Sequence, residues 1–430
     1  MTRWSNWSGS VRCEPRHVQR PADLDALRRT VAEVHGRGGE LRVAGSGHSF
    51  SPLVATPDTL VSLEHLRGIV SIDPERQRAT LWAGTKISDL GEPLLEHGLA
   101  LLNQGDIHEQ AIAGAVSTGT HGTGVDLGSL STQVTAMTLV TAEGDLLELD
   151  ADSDPETLRM ARVSLGSLGV LVRLELQLRP AYKLHERKTN QSLEDCLSTI
   201  DDAKASARHW EFFWFPHSTR VGIKVLDETD AQPRWSRVKY LVSDLVLENA
   251  GWYLLCQVAR AFPKSAPAVA RFAAANLGQG ERIHWSHRIF PNPRLVRFNE
   301  MEYAVPAERG PDCLRELAAF VRDARVAVHF PVEYRYVAAD DIPLSPFHRR
   351  DCAVLSVHMY RGMPHETYFR GAEAIFRRHG GRPHWGKMHH LGAEDFAELY
   401  PEWDAFQALR RRMDPSGLFM NDHLRHIFGI

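Results

Sequence analysis

Cysteine is scarce in this sequence and follows no pattern. Cys13, Cys196, Cys256, Cys313 and Cys352 are odd in number, scattered, and include no CxxC pair, so spacing offers neither a disulfide framework nor a thiolate metal site. Reduced thiols are the expectation. Charge of one sign is nowhere concentrated: 50 basic and 54 acidic residues are interspersed to a formal net charge of -4, and nothing in that pattern calls for nucleic acid. Long apolar runs are missing too. The most apolar stretch, Tyr240 to Phe262, is interrupted by Asp244, Glu248, Asn249 and Arg260, which predicts an amphipathic or buried helix and no integral membrane segment. The opening MTRWSNWSGSVRCEP has no apolar core after its first basic residue, so no secretory signal is expected and the cytoplasm is the predicted location. Despite 22 histidines there is no HExxH or Cys/His ligand spacing, and no metal is expected. The absence of a GxSxG elbow disfavours an α/β-hydrolase.

A chain of 430 residues with 43% hydrophobic content can bury two or three structural units. Leu24, Leu27, Val31 and Val34 fall near helical spacing after Pro21, and Gly36, Gly38 and Gly39 stop that helix. A strand LRVAG follows. The runs Leu60 to Leu63, Ile69 to Ile72 and Ala79 to Ala83 predict a strand meander. From Val170 to Leu178 apolar residues alternate with Arg173, Glu175 and Gln177, a half-buried strand closed by Pro180 and a natural domain boundary. Beyond it, strands at EFFWF (211–215), MEYAV (301–305), 328–337 and 352–360 mix with helices near 311–324 and 366–379. The fold class is therefore α+β, with a second sheet covered by helices. Near the C-terminus, Trp403, Phe406, Leu409 and Met413 share one side of a helix ended by Asp414-Pro415-Ser416-Gly417.

Three stretches could carry chemistry. In RVAGSGHSFS (42–51), Gly45, Ser46, Gly47 and Ser49 crowd around His48. Small residues let backbone N–H groups approach a pyrophosphate closely. Phe50 stands where a third dinucleotide-fingerprint glycine would be, and no Gly-Lys-Ser/Thr follows, so a Rossmann reading is weak and a P-loop is excluded. By itself the stretch is equally an ordinary glycine turn. The second stretch, AIAGAVSTGTHGTG (111–124), consists almost wholly of Ala, Gly, Ser, Thr and Val apart from His121. It suits backbone lying against a flat, bulky ligand; a flexible linker would be richer in Gly and Ser. In the third, VHFPVEYRYV (328–337), a strand would put Glu333 and Arg335 on one face, with Val332, Tyr334 and Tyr336 on the other. Such a pair could orient a polyhydroxylated substrate or be an exposed ion pair.

RVAGSGHSF, followed some seventy residues on by the small-residue run ending THGTG, resembles the FAD-binding (PCMH-type) domain of vanillyl-alcohol-oxidase-type flavoproteins, specifically their sugar-1,4-lactone branch. VEYRYVAADD, SPFHRRD, RPHWGK and EMEYAVP resemble matching segments of gulonolactone oxidases and dehydrogenases, arabinonolactone oxidase and alditol oxidase. The resemblance implies an FAD-binding domain at 1–180, a substrate or cap domain at 181–380, and a segment 381–430 returning to the FAD domain and active site. It implies FAD bonded covalently through the 8α-methyl to His48. Gly45, Ser46, Gly47 and Ser49 would contact the cofactor, as would Gly114, Ala115, Ser117, Thr118, Gly119, Thr120, His121, Gly122, Thr123, Gly169 and Val170.

The same resemblance puts Glu333, Arg335 and Lys387 at the active site, with His358 as a further substrate contact. The reaction implied is hydride transfer from a hydroxyl carbon of a sugar lactone to flavin N5, with Lys387 stabilising the reduced flavin. Alditol oxidase has Thr at the position of His358 and Ser at that of Ala115, departures that favour a lactone ring over a linear polyol. Gly114 matches the position that controls oxygen access, so oxygen, a quinone or cytochrome c stand as electron acceptors. The rivals are a metal-dependent lactonase, which would be colourless, and a flavin-binding protein without turnover, against which the intact Glu333, Arg335 and Lys387 argue.

Overall fold

The computed structural model describes residues 3–234, 249–292 and 295–430, and among these three larger sheets organise the chain. The first is parallel. Asp23 caps the helix Leu24–Gly36 by accepting from the Ala26 amide at 2.7 Å, and Leu27, Val31 and Val34 are its buried residues. The helix links strand His17–Gln19 to strand Leu41–Ala44, and both pair in parallel with Thr59–Ser62 between them.

The expected meander is thereby divided between two sheets. Thr59–Ser62 is buried over Thr59, Leu60 and Val61, as befits the central strand of a covered parallel sheet. Ile69–Asp73 and Arg78–Trp82 instead form an antiparallel pair at the edge of a second, five-stranded sheet. An apolar run alone does not say which partner a strand takes. Val170–Gln177 is central in that second sheet: Val170, Val172, Leu174 and Leu176 are buried, while Arg173, Glu175 and Gln177 are half-buried. Arg179–Pro180 then leaves to pair with Leu99–Ala100.

The third sheet has eight strands in the order Gly280–Trp285, Lys183–Ser192, Arg220–Glu228, His209–Trp214, Val332–Val337, Cys352–Tyr360, Phe298–Pro306 and Arg382–Pro383, each pair antiparallel. The strand expected over 328–337 is shortened to Val332–Val337. Pro331 has no N–H for the ladder, which ends pairing there. Side chains alternate across the sheet, so register assigns its two faces. One carries Phe212, Tyr334, Leu355, Val357, Met301 and Tyr303 and is covered by the helices Gly310–Asp323 and Glu366–Arg378. The buried hydroxyl of Tyr303 on this face donates to Glu373 at 2.5 Å. The opposite face carries Arg282, Glu186, Lys224, Glu211, Glu333, Ser356, His358, Glu300 and Glu302. That face belongs to the site.

Of the apolar stretch Tyr240 to Phe262, Asn249–Ala261 is a helix burying Cys256 and Ala259; Tyr240 to Glu248 lie outside the described residues. The C-terminal helix Trp403–Met413 buries Trp403, Phe406 and Leu409 as the spacing predicts. Asp414 then turns the chain by accepting from the Leu418 and Phe419 amides, both at 2.9 Å. The Leu41 amide donates to Leu418 O at 2.8 Å, and the buried Arg42 guanidinium donates to Phe419 O at 2.5 Å and Leu165 O at 2.7 Å. The last residues thus bind directly to the first sheet.

Candidate active site

The Gly45–Ser51 loop leaves the strand Leu41–Ala44 and is fixed by its neighbours. Gly47 has φ +71°, a left-handed conformation that favours glycine. Trp7 N donates to Gly47 O at 2.7 Å and Asn6 Nδ2 to Ser49 O at 3.0 Å. At its far end Phe50 N donates to Gly386 O at 2.7 Å and Ser51 Oγ to Trp385 O at 2.6 Å. RPHWGK is therefore hydrogen-bonded to the His48 loop although more than three hundred residues separate them.

A cavity of about 340 Å³ opens beside this loop, lined by Gly45, Ser46, Gly47, His48 and Ser49. Across it stand Gly114, Ala115, Ser117 and Thr118, on and just after the helix Ile112–Ser117, with Gly169 and Val170 from the second sheet. A Cβ placed on Gly114 would meet nothing within 4 Å, so the wall is smooth and open there. The lining fits a large flat cofactor with a pyrophosphate: apart from the one imidazole, the residues at 45–49 and 114–118 have short side chains, which leave their backbone open to a close approach. Burial, reinforced by the charge of Lys387, pushes His48 down to about 4, which keeps the ring neutral and nucleophilic near pH 7.

Gly119, Thr120, His121, Gly122 and Thr123 do not line this cavity. They form the joint to the third sheet. Thr123 Oγ1 donates to Trp210 O at 2.8 Å, and a Cβ on Gly122 would lie 2.5 Å from Gln104 O, a clash that requires glycine. His121 Nδ1 is 2.8 Å from Gly122 O, a carbonyl that can only accept, while Nε2 is 3.0 Å from Glu302 Oε1. The ring is thus held between a carbonyl and a carboxylate, both buried in the joint. Although burial raises Glu302, His121 holds it well below the usual carboxylate range. His384 stands against the same pair.

A second cavity, about 380 Å³, lies over the polar face of the eight-stranded sheet and is lined by Glu333, His358, Lys224, Arg282, Phe298 and Trp252, among others. Glu333 and Arg335 do share a strand face and are ion-paired. They belong to a buried network: Arg335 Nε is 2.7 Å from Glu211 and Nη2 is 3.2 Å from Asp106, while Lys224 Nζ is 2.8 Å from Glu211 and 3.4 Å from Asp106. Burial would lower the cations, but Glu333, Glu211 and Asp106 raise Arg335 and Asp106 and Glu211 raise Lys224, so both stay charged. Glu333 meets the cavity; Arg335 lies behind it in the network.

His358 Nδ1 is 2.9 Å from Pro331 O, so that nitrogen donates and Nε2, 3.5 Å from Glu300, carries the ring's lone pair when it is neutral. Lys387 Nζ is 2.6 Å from the other oxygen of Glu300. Burial raises Glu300, yet Lys387 and His358 together hold it below its ordinary value. One ring links the two linings: Trp7 stacks on His48 at 5.8 Å and meets Phe298 edge-on at 5.2 Å. Asp106, Glu211, Lys224 and Glu300 were not singled out from the sequence. The available signal was charge at every second position in otherwise apolar buried strands, as in FNEMEYAVP, where Glu300 and Glu302 share a face.

A family profile described as FAD binding domain matches residues 15–150, and one described as D-arabinono-1,4-lactone oxidase matches residues 174–427. The chain belongs to the D-arabinono-1,4-lactone oxidase family. Within this family of FAD-dependent sugar-lactone oxidoreductases it is 37% identical to L-gulono-1,4-lactone dehydrogenase of Mycobacterium tuberculosis over 99% of each chain. It is 34% identical to L-gulonolactone oxidase of Scyliorhinus torazame, covering 99% of this chain and 98% of that one. With D-arabinono-1,4-lactone oxidase of Yarrowia lipolytica identity is 28% over 96% and 95%. Among solved structures, a solvent-stable cholesterol oxidase superposes with TM-score 0.86 at 21% identity, over 99% of this chain and 97% of that one, a likeness of fold. The family thus shares a two-part flavoprotein architecture, as expected from the sequence. No helix among the described residues is long and apolar enough to cross a membrane.

Proposed function

We propose that this family member oxidises a hydroxyl carbon of a sugar-derived 1,4-lactone resembling L-gulono-1,4-lactone, with FAD tethered through His48. The observation that carries the reading is the linkage of two cavity linings through Trp7: His48 and small residues line one cavity, Phe298, Glu333 and His358 the other. FAD, when bound, supplies acceptance of a hydride from the substrate's C–H. Residues 45–49, 114–118 and 169–170 would hold it, with 119–123 supporting that wall from behind. The domain division at 180 and 380 follows the same reading, the last fifty residues bringing Lys387 back to the FAD-binding part.

The chain's own groups do the rest. Glu333, held by Arg335, orients the lactone hydroxyls; His358 contacts the ring and, with Glu333, offers an acceptor for the hydroxyl proton. Lys387, anchored by Glu300, places a fixed positive charge where negative charge develops. A linear polyol is not favoured. The proposal includes oxygen, a quinone or cytochrome c as acceptor and a cytoplasmic location, where reducing conditions suit the five free cysteines. Anaerobic mixing of the yellow holoenzyme with a panel of 1,4-lactones and polyols tests it: a 1,4-lactone should bleach the flavin fastest, and bleaching by polyols alone, or by none of the panel, would overturn it.

A further inference from the structure

The helices Asn249–Ala261 and Ala266–Ala275 pack on one another, and the second packs on the strand Arg220–Glu228 of the eight-stranded sheet. Trp252, Cys256 and Ala259 face inward on the first, Ala266, Val269, Ala270 and Ala274 on the second. The outward side is apolar instead of polar. Leu254 is 64% exposed, Phe262 70% and Phe272 57%, joined by Tyr253 and Val258. Leu254 and Val258 lie one turn apart on the first helix, and Phe262 follows directly after its last residue. Of the nine exposed large apolar side chains in the described residues, five lie between Tyr253 and Phe272, and Leu295 beside the substrate cavity adds another.

Charge on the same segment is one-sided. From Asn249 to Gly280 there is no Asp or Glu, while Arg260, Lys264 and Arg271 are exposed, in a protein whose net charge is -4. Among the described residues, exposed apolar side chains interspersed with cations and with no acid from Asn249 to Gly280 have the composition of a helix that lies in a membrane interface, apolar face down and cations among anionic headgroups.

We propose that this helix pair docks the enzyme peripherally on an anionic lipid bilayer, with the mouth of the substrate cavity beside the contact. The test is flotation of the full-length holoenzyme with vesicles of phosphatidylcholine and phosphatidylglycerol, against vesicles of phosphatidylcholine alone. The enzyme should float with the first and not the second, and salt should weaken the association. Removing one cation, as in Lys264→Gln, should weaken binding about fivefold at low salt. The double variant Leu254→Ser/Phe262→Ser should lose flotation while its melting temperature and its activity on soluble lactone stay unchanged, because both side chains are exposed and neither lines a cavity. Failure of the wild-type protein to float would overturn the proposal, as would flotation of the double variant. A dimer in light scattering that the double variant dissolves would overturn it too, since a second copy would then cover the patch. The outcome is independent of which lactone is oxidised.

Discussion

Lys387 Nζ lies 2.6 Å from Glu300 Oε2 and 5.2 Å from the centre of the Phe50 ring. Phe50 in turn receives its place from Gly386, the residue before Lys387, through the amide hydrogen bond of 2.7 Å. The cation and the His48 loop are therefore positioned by the same few residues, and Glu300 is the group that stops the lysine from turning away.

Breaking that anchor has a foreseeable signature. Glu300→Gln leaves the half-buried Lys387 ammonium beside a neutral amide, so kcat should fall about tenfold to a hundredfold, a loss of roughly 1.4 to 2.8 kcal/mol in the barrier. Lys387→Met should fall at least as far. Because Glu300 acts through Lys387, the double variant should be little worse than Lys387→Met, and a fully additive double-mutant cycle in kcat would disprove the dependence.

His48→Ala separates the tether from the rest of the site. The variant should bind FAD that washes out on acid precipitation, leaving a colourless pellet where the wild-type pellet is yellow. The flavin should also become a weaker oxidant, read as a lower reduction potential in a dye-coupled titration. Colour retained in the acid pellet of His48→Ala would show that another residue forms the bond.

How much of this was legible beforehand depends on the range of the interaction involved. Helix Leu24–Gly36 and strand Val170–Gln177 were readable because their periodicities and caps are local. The facing of Glu333 with Arg335 was readable for the same reason, since a strand's alternation is fixed by the backbone. Membership of Thr59–Ser62 in the parallel sheet was not, because pairing partners are chosen by tertiary packing. Nor could Arg335 be linked to Asp106 and Glu211, which lie more than a hundred residues away and meet it only in the folded core. The small-residue run 111–124 was singled out as one unit; the fold divides it at Thr118, where one half faces the cavity and the other bears the joint.

That network makes Arg335 the costliest of these side chains to remove. Arg335→Met would leave Glu333, Glu211 and Asp106 buried with Lys224 as the cation nearest the latter two. Stability should drop by about 3 to 5 kcal/mol, the usual scale for breaking a buried ion cluster. Arg335→Lys keeps the charge but not the fork, and should recover part of the stability with KM still raised. Urea titration and steady-state kinetics on both variants check this.

Gly114→Ala addresses electron acceptors. Since the added methyl meets nothing within 4 Å and the position is helical, the fold should be unharmed, with stability equal or about 0.5 kcal/mol higher. The methyl would project towards the space the cofactor fills. Reoxidation of the reduced flavin by air should slow while reoxidation by a soluble quinone or cytochrome c changes less. Stopped-flow traces with each acceptor measure the ratio, and equal slowing by all would refute a role in oxygen access.

Asp340 supplies a pH dependence whose sign is fixed. Burial raises its carboxyl from 3.8 to about 7, although Ser345 Oγ donates to it at 2.5 Å and Ile342 N at 3.1 Å. Between those two values the folded protein keeps a proton that the unfolded chain releases, so stability from this group is complete below about 3.8 and lost as pH rises through about 7. The full span is at most about 4 kcal/mol. Asp340→Asn imitates the protonated form and cannot titrate. Melting temperatures measured from pH 4 to pH 8 should therefore decline less steeply in Asp340→Asn than in the wild type, and the variant should be the more stable protein at the alkaline end. Parallel curves would mean that Asp340 is ionised in the fold, with Ser345 and Ile342 sufficing to hold its charge.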